Sequence, residues 1–116
     1  VCSGSTKIFH ASSSQDLQFD CSAKRQIRFN PDIDYLFRSV AELASDIAIV
    51  GIILTGIGDD GSIGCQQLSL AGGRCIAESE ETAVVFGMPY RAAQVVNDIE
   101  VKSLESIIQT IVNFDQ

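Results

Sequence analysis

Hydrophobic and polar positions alternate in three short segments near the start of the chain, at 7–11, 17–21 and 26–29. In the second segment, Leu17, Phe19 and Cys21 share one face. Alternation with a period of two predicts strands that are buried on one side only. Polar stretches at 12–14 and 22–25 separate them and predict turns. The pattern therefore predicts a small antiparallel meander, or the edge of a larger sheet.

The hydrophobic period then changes to that of an α-helix. Apolar side chains recur at 3.6-residue spacing and form one stripe, made of Ile33, Leu36, Phe37, Val40 and Ala44. Asn30 is the predicted N-cap and Pro31 the first helical residue, while Asp32 and Asp34 complement the positive end of the helix dipole.

The rest of the chain alternates between strand and helix patterns. The apolar run 47–54 predicts a fully buried parallel strand, and the glycine-rich loop 55–61 leads into a helix at 62–71 that ends at Gly72 and Gly73. A strand at 74–77, a weak helix or turn at 80–86, a helix at 88–96 and a strand at 99–102 follow.

Ser103 is predicted to cap a last helix, whose inward side chains would be Leu104, Ile107, Ile108 and Ile111. Strands that alternate with helices predict an α/β fold, with a parallel sheet, helices on both of its faces and the small meander near the N-terminus.

Composition narrows the class of protein. The chain has 116 residues, 46% of them hydrophobic, which suits one globular domain at most. Its net charge of −7 argues against nucleic acid as a partner. The longest apolar run, 47–54, is far shorter than the ~20 residues of a membrane helix, so no membrane insertion is expected.

Cysteine usage and the absence of a secretory signal predict a cytoplasmic protein. The four cysteines show no CxxC spacing and have a single histidine for company, so we expect free thiols and neither a metal nor a cofactor. The chain begins at Val1 and its one methionine is Met88. We therefore interpret it as an incomplete domain, a piece of a longer protein.

The most informative segment is GIILTGIGDDGSIG at 51–64, where a strand runs into a tight loop. Gly56, Gly58 and Gly61 spell the dinucleotide fingerprint G-x-G-x-x-G, and Glu78 stands where an acid would meet a ribose hydroxyl. Against nucleotide binding, Asp59 and Asp60 would bring carboxylates close to a pyrophosphate.

The carboxylates suggest a second interpretation. A strand that delivers an Asp to its carboxyl end is a common way to place the orienting acid of a Ser-His-Asp triad, and glycines allow backbone amides to face an oxyanion. The residues alone also allow Asp60 to be a capping residue, with Ser62 as a further candidate cap of the next helix.

Four segments in order resemble the chemotactic methylesterases, the CheB family. PDIDYLFRSVA at 31–41 is similar to that family's P-S-V-D-x-L-F-x-S-V-A, and GIILTGIGDDG at 51–61 to its V-x-L-T-G-M-G-x-D-G. AGGR at 71–74 with IA at 76–77 matches its A-G-G-x-T-I-A-Q, and VVFGMP at 84–89 its V-V-F/Y-G-M-P. On these motifs, 1–116 is identified as the C-terminal part of a methylesterase catalytic domain.

The resemblance implies a signal-transduction hydrolase that removes methyl groups from glutamyl esters of chemoreceptors and, in some members, deamidates receptor glutamines. It places the triad acid at Asp60 and an oxyanion-hole backbone amide at Ile57, while Asp59 occupies a variable position. It also implies methyl-accepting chemotaxis receptors as partners, and an N-terminal receiver domain outside this chain in many members.

Departures from the family pattern lead to further expectations. The family's serine and histidine motifs would lie upstream of Val1, so the chain alone is expected to be inactive. Ser5 and His10 resemble the serine and histidine of these motifs, but Lys7 stands where the serine motif needs glycine. We therefore interpret Ser5 and His10 as non-catalytic. An incomplete sheet predicts a homodimer through an exposed edge. A non-catalytic interaction module remains an alternative.

Overall fold

The computed structural model describes residues 7–10, 17–20 and 32–114, which form two sheets and four helices. The elements in chain order are β1 (Lys7–His10), β2 (Leu17–Asp20), α1 (Ile33–Ala41), β3 (Val50–Ile53), α2 (Ser62–Leu70), β4 (Arg74–Glu78), α3 (Met88–Val95), β5 (Glu100–Lys102) and α4 (Leu104–Val112).

The first sheet is the antiparallel pair β1–β2, with Lys7 opposite Asp20 and His10 opposite Leu17. This confirms the first two predicted strands, whereas the third, at 26–29, lies outside the described residues. The pair is attached to α1 through Ser39, whose hydroxyl accepts the Ile8 N–H at 2.8 Å and donates to a carbonyl of its own helix at 2.7 Å.

The second sheet is parallel, with strand order β3-β4-β5. Gly51 lies opposite Cys75, and Ala77 lies opposite Val101. Parallel neighbours need a crossover between them, and α2 and α3 supply it. The predicted alternation of strands and helices is therefore confirmed.

Helices lie on both faces of this sheet. We define the closed face by Gly51, Ile53, Cys75 and Ala77. A Cβ atom on Gly51 would lie 2.7 Å from Leu68 of α2, so helix and sheet are in close contact there. We define the open face by Val50, Ile52, Arg74, Ile76, Glu100 and Lys102. On it, Val50 and Ile52 line a cavity of about 150 Å³ together with Thr110, Ile111 and Phe114.

The prediction of a fully buried strand at 47–54 is wrong. The strand spans Val50–Ile53, and burial alternates along it, with Gly51 and Ile53 buried and their neighbours half-buried. A continuous apolar run predicts layers on both sides of a strand. Here the closed face is covered, whereas α4 leaves the other face of β3 partly accessible to solvent.

The predicted terminus signals are confirmed for α3, α4 and the end of α2, whereas those for the start of α1 are wrong: the helix begins at Ile33, so Pro31 is not its first residue. The N-cap of α1 is Asp32, not Asn30; its carboxylate accepts the Tyr35 N–H at 3.2 Å, and the helix ends at Ala41, before the predicted Ala44. The helix α2 ends as predicted, because the Gly73 N–H donates to the Leu68 carbonyl at 2.9 Å.

Other termini follow the sequence. Pro89 lies in the first turn of α3, and Ser103 caps α4 by accepting the Ser106 N–H. Within the segment 80–86, residues 80–82 form a turn and Phe86 forms an isolated β-bridge with Gly56. In the part of the chain that the structure describes, no helix has both the length and the apolar character needed to span a bilayer.

The predicted inward face of α4 is wrong in three of its four residues. Ile107 is 1% exposed, but Leu104, Ile108 and Ile111 are 41–55% exposed. Periodicity correctly identified the apolar stripe of the helix. It could not show which residues of this stripe are covered by other parts of the protein. Among the described residues, only Ile107 of the four is buried.

Candidate functional site

The loop that follows β3 is shaped by two glycines. Gly58 and Gly61 have φ angles of 96° and 93°, a region that residues with a side chain rarely adopt. A Cβ on Gly61 would also lie 2.8 Å from Ile53 Cδ1. Gly61 is the N-cap of α2, so Ser62 is not the cap; its buried hydroxyl donates to the Asp59 carbonyl at 2.9 Å.

Asp60 is buried at the end of this loop, with 7% of its surface exposed. Its Oδ2 accepts the Ile33 N–H at 3.0 Å, and its Oδ1 accepts the Asp34 N–H at 3.2 Å. These are N–H groups of the first turn of α1, which have no acceptor within their own helix. Asp60 therefore caps a helix, but one that begins 27 residues earlier in the chain.

Asp34 makes the reciprocal contact. Its Oδ1 accepts the Gly64 N–H in the first turn of α2 at 2.7 Å. The N-terminus of α1 is thus capped by Asp60, from the loop before α2, and the N-terminus of α2 is capped by Asp34, from α1. The positive ends of both helix dipoles favour these negative charges.

Asp32, Asp34 and Asp60 bring carboxylate oxygens within 4.8 Å of one another. This group is the place among residues 32–114 where side chains could surround a cation. Each carboxylate already accepts at least one backbone N–H from a helix N-terminus, which compensates its charge without a metal.

Burial raises the pKa of Asp60 above its ordinary value of 3.8. The hydrogen bonds from Ile33 and Asp34 act in the opposite direction, and the negative charges of Asp34 and Asp32 add to the increase. Each Asp60 oxygen accepts one of these N–H bonds, and a carboxylate has about four acceptor positions. Asp60 can therefore accept a further N–H, as from an imidazole.

Ile57 lies on the surface, with its residue 82% exposed. The peptide before it is fixed, because the Met88 N–H donates to the Gly56 carbonyl at 2.8 Å. In a trans peptide the N–H points opposite to the carbonyl, so the Ile57 N–H points away from Met88. No backbone carbonyl among the described residues accepts a hydrogen bond from it.

The geometry contradicts the dinucleotide interpretation. Glu78, the candidate ribose ligand, is 2% exposed. Its Oε1 accepts the Thr55 N–H at 2.9 Å, and its Oε2 accepts the Thr82 hydroxyl at 2.8 Å. Because both oxygens are used inside the protein, Gly56-x-Gly58-x-x-Gly61 lacks the acid that the fingerprint requires.

The remaining candidate residues are only partly described. Ser5 lies outside the described residues, and of His10 the structure describes the backbone, which lies in β1. Cys65 and Cys75 are buried free thiols, as predicted, while Cys2 and Cys21 lie outside the described residues. Sequence reasoning missed the long-range contacts of Asp34, Glu78 and Thr82, which join residues 22–30 positions apart and leave no local pattern.

The parallel sheet with helices on both faces is an α/β fold, and Asp60 lies at the carboxyl end of its first strand, where such sheets gather their ligand and catalytic sites. The family model for CheB methylesterase matches residues 3–111. The chain therefore belongs to the CheB methylesterase family.

Two curated relatives and one solved structure illustrate the match. The protein-glutamate methylesterase/protein-glutamine glutaminase 1 of Chromobacterium violaceum is 50% identical over 80 residues, which are 69% of this chain and 22% of the relative. The corresponding protein 2 of Dechloromonas aromatica is 42% identical over 87 residues, 75% of this chain and 24% of that relative.

The crystal structure of the Thermotoga maritima CheB methylesterase catalytic domain superimposes with a TM-score of 0.76 at 27% identity. The alignment covers 97% of this chain and 58% of that domain. The chain thus spans under a quarter of the length of the curated relatives it matches, and somewhat more than half of the catalytic domain.

Proposed function

We propose that this chain supplies the triad acid, Asp60, to a cytoplasmic chemoreceptor protein-glutamate methylesterase whose serine and histidine lie outside it. The observation that carries this proposal is the buried Asp60 carboxylate, held by two backbone N–H groups with acceptor positions left over. Membership in the CheB family supports the same assignment.

In the proposed reaction, the serine oxygen attacks the ester carbonyl of a methylated glutamate and the histidine takes its proton. Asp60 holds the histidine in the correct tautomer and stabilises the imidazolium that forms. The Ile57 N–H donates to the oxyanion. The intermediate collapses with loss of methanol, which takes the proton from the histidine, and water then releases the glutamate. In deamidation, ammonia would leave in place of methanol.

The test is methanol release from methylated receptors by the full-length protein that contains this chain. We expect Asp60→Asn to lower turnover by roughly 10³–10⁴-fold, because the histidine loses its orienting acid. Asp59→Asn removes the same charge from the same loop and should leave turnover within a few-fold.

Circular dichroism and thermal unfolding of each variant show whether a loss of turnover reflects a loss of fold. Equal turnover in folded Asp60→Asn and wild type would assign Asp60 to capping alone. An unmutated protein that releases no methanol would favour the non-catalytic interaction module.

Two proposals concern the chain by itself. It should not hydrolyse methyl esters, since a triad without serine and histidine retains little activity; turnover that Ser5→Ala abolishes would contradict this. We also propose that β3 pairs with a second copy, because its only strand neighbour among the described residues is β4. Sedimentation at high concentration that shows a monomer would contradict the dimer.

The expected partners are methyl-accepting chemotaxis receptors, with a receiver domain elsewhere in the protein as a further expectation. Family membership supports the receptors as the substrate. The receiver domain rests on the resemblance alone.

A further inference from the structure

A second buried carboxylate lies beside the proposed site, and the proposed reaction gives it no role. Glu78 ends β4, next to β3 in the sheet, and is 2% exposed. A buried carboxylate is costly unless donors compensate it. The donors here are the Thr55 N–H and the Thr82 hydroxyl, at 2.9 and 2.8 Å.

Thr82 connects Glu78 to the start of α4. While its hydroxyl donates to Glu78, the same oxygen accepts the Leu104 N–H at 2.9 Å. Leu104 is the first residue of α4, so that N–H has no acceptor within its own helix. On one side, Glu78 is therefore held by Thr82, which also binds the first residue of α4 and lies outside the loop after β3.

On the other side, Glu78 holds Thr55, two residues before Ile57. The Thr55 hydroxyl accepts the Val85 N–H at 2.8 Å, and the Gly56 N–H donates to the Val85 carbonyl at 3.1 Å. The loop after β3 and the segment before α3 are so close that a Cβ on Gly87 would lie 2.7 Å from the Gly56 oxygen.

These bonds fix the peptide between Gly56 and Ile57. The Gly56 carbonyl accepts the Met88 N–H, and the Gly56 N–H donates to the Val85 carbonyl. The direction of the Ile57 N–H follows from the orientation of this peptide. Thr55 and Glu78 anchor the chain immediately before it.

We propose that Glu78 is a positioning residue, which acts through Thr55 to hold the Ile57 N–H in the direction that the oxyanion requires. This inference rests on the proposed function. Charge-assisted hydrogen bonds to a buried carboxylate are short and directional, which suits an anchor. A donor displaced by about 1 Å can cost 10²-fold in rate.

The first test is Glu78→Ala in the full-length protein. We expect kcat for methanol release to fall about 10²-fold while KM stays within about threefold, because the oxyanion forms only in the transition state. Glu78→Gln keeps an acceptor for the Thr55 N–H and should recover most of this loss. A purely structural Glu78 would lower the melting temperature but leave kcat of the folded protein unchanged, which would overturn the proposal.

A matched control removes the same charge elsewhere. Glu100 lies in the neighbouring strand β5, in an exposed ion pair with Arg74, and Glu100→Gln should not change kcat. The backbone ¹⁵N–¹H resonance of Ile57 gives a readout independent of turnover. It should shift in Glu78→Ala and keep its position in Glu100→Gln.

A second pair decides the matter where Glu78→Ala does not fold. Thr82→Val removes the hydroxyl that links Glu78 to Leu104, whereas Thr82→Ser keeps it. We expect kcat to fall about tenfold in the valine variant and to stay within threefold in the serine variant. Equal kcat in both would overturn the proposal. Failure of the proposed function is distinct, since the unmutated protein would then release no methanol.

Discussion

Ile52 and Ile53 are adjacent residues with the same side chain, and they have different surroundings on the two faces of the parallel sheet. Ile53, on the closed face, is 2% exposed and lies in the core with Cys65, Leu68 and Cys75. Ile52, on the open face, is half-buried and lines the cavity beside α4. The burial of each is decided by the layer that covers it, and not by its own hydrophobicity.

The open face itself has two parts. Around Ile76 of β4 and Ile107 of α4 it is covered, since both residues are at most 1% exposed. Over β3 it is incomplete, with Ile111 and Phe114 about half exposed. The buried carboxylate of Asp60 lies at the N-termini of α1 and α2, on the side of the closed face, whereas the open face carries the surface ion pair of Arg74 and Glu100.

The largest expected difference in stability comes from paired truncations. Leu68→Ala, at a residue 1% exposed on the closed side, should lower the free energy of unfolding by about 2–5 kcal/mol through lost burial and a cavity. Ile111→Ala, at a residue 55% exposed, should cost under about 1 kcal/mol. Urea unfolding measures both, and equal losses would contradict the distinction between the faces.

A loss of stability of intermediate size is expected from changes at the contact between α1 and α2. Asp34→Ala leaves the Gly64 N–H without its acceptor at the N-terminus of α2, and should cost about 1–2 kcal/mol. Asp46→Ala, at an exposed aspartate in the turn after α1, is the control and should stay within about 0.5 kcal/mol. Urea titration distinguishes them; a loss no greater than the control's would show that the cap contributes nothing.

The smallest effects are opposite pH dependences on the two faces. Burial raises the pKa of Asp60, so ionised Asp60 destabilises the fold, and its contribution improves as pH falls towards 3.8. The hydrogen bond from Arg74 lowers the pKa of Glu100 to about 2, so its contribution is present above pH 4.5 and lost as pH falls towards 2. Because Glu100 and Arg74 are both partly exposed to solvent, Glu100 should contribute at most about 1 kcal/mol.

Unfolding of wild type, Asp60→Asn and Glu100→Gln from pH 2 to 7 separates these effects. Wild type should gain stability relative to Asp60→Asn as pH falls, and lose it relative to Glu100→Gln. Added salt should weaken only the second difference, since surface charges are screened. Parallel curves for the two variants would contradict the opposite directions.

Local chemistry predicted much of the fold. Glycines at the end of α2, Pro89 in α3 and the Ser103 cap each act within a few residues, and the structure confirms them. The cap of α1 was placed wrongly because Asn30 and Asp32 are both good capping residues, and sequence alone did not decide between them.

The carboxylates show where sequence reasoning ends. Asp60 was identified as a candidate through its glycine loop and the family motif, but its partners on α1 lie 26 and 27 residues away. Glu78 was a candidate ribose ligand only under the alternative of dinucleotide binding, and spacing could not show which donors surround its side chain. The exposed part of α4 was missed for the same reason, because periodicity identifies a stripe and not its neighbour.

The two buried thiols on the closed face allow local opening of the protein to be measured by thiol labelling. Cys65 and Cys75 are 0% and 2% exposed, and the Cys75 Sγ donates to the Cys65 carbonyl. A thiol reagent can reach them only when α2 separates from β4. The labelling rate at these positions, followed by mass spectrometry, therefore measures how often that layer opens without any engineered probe.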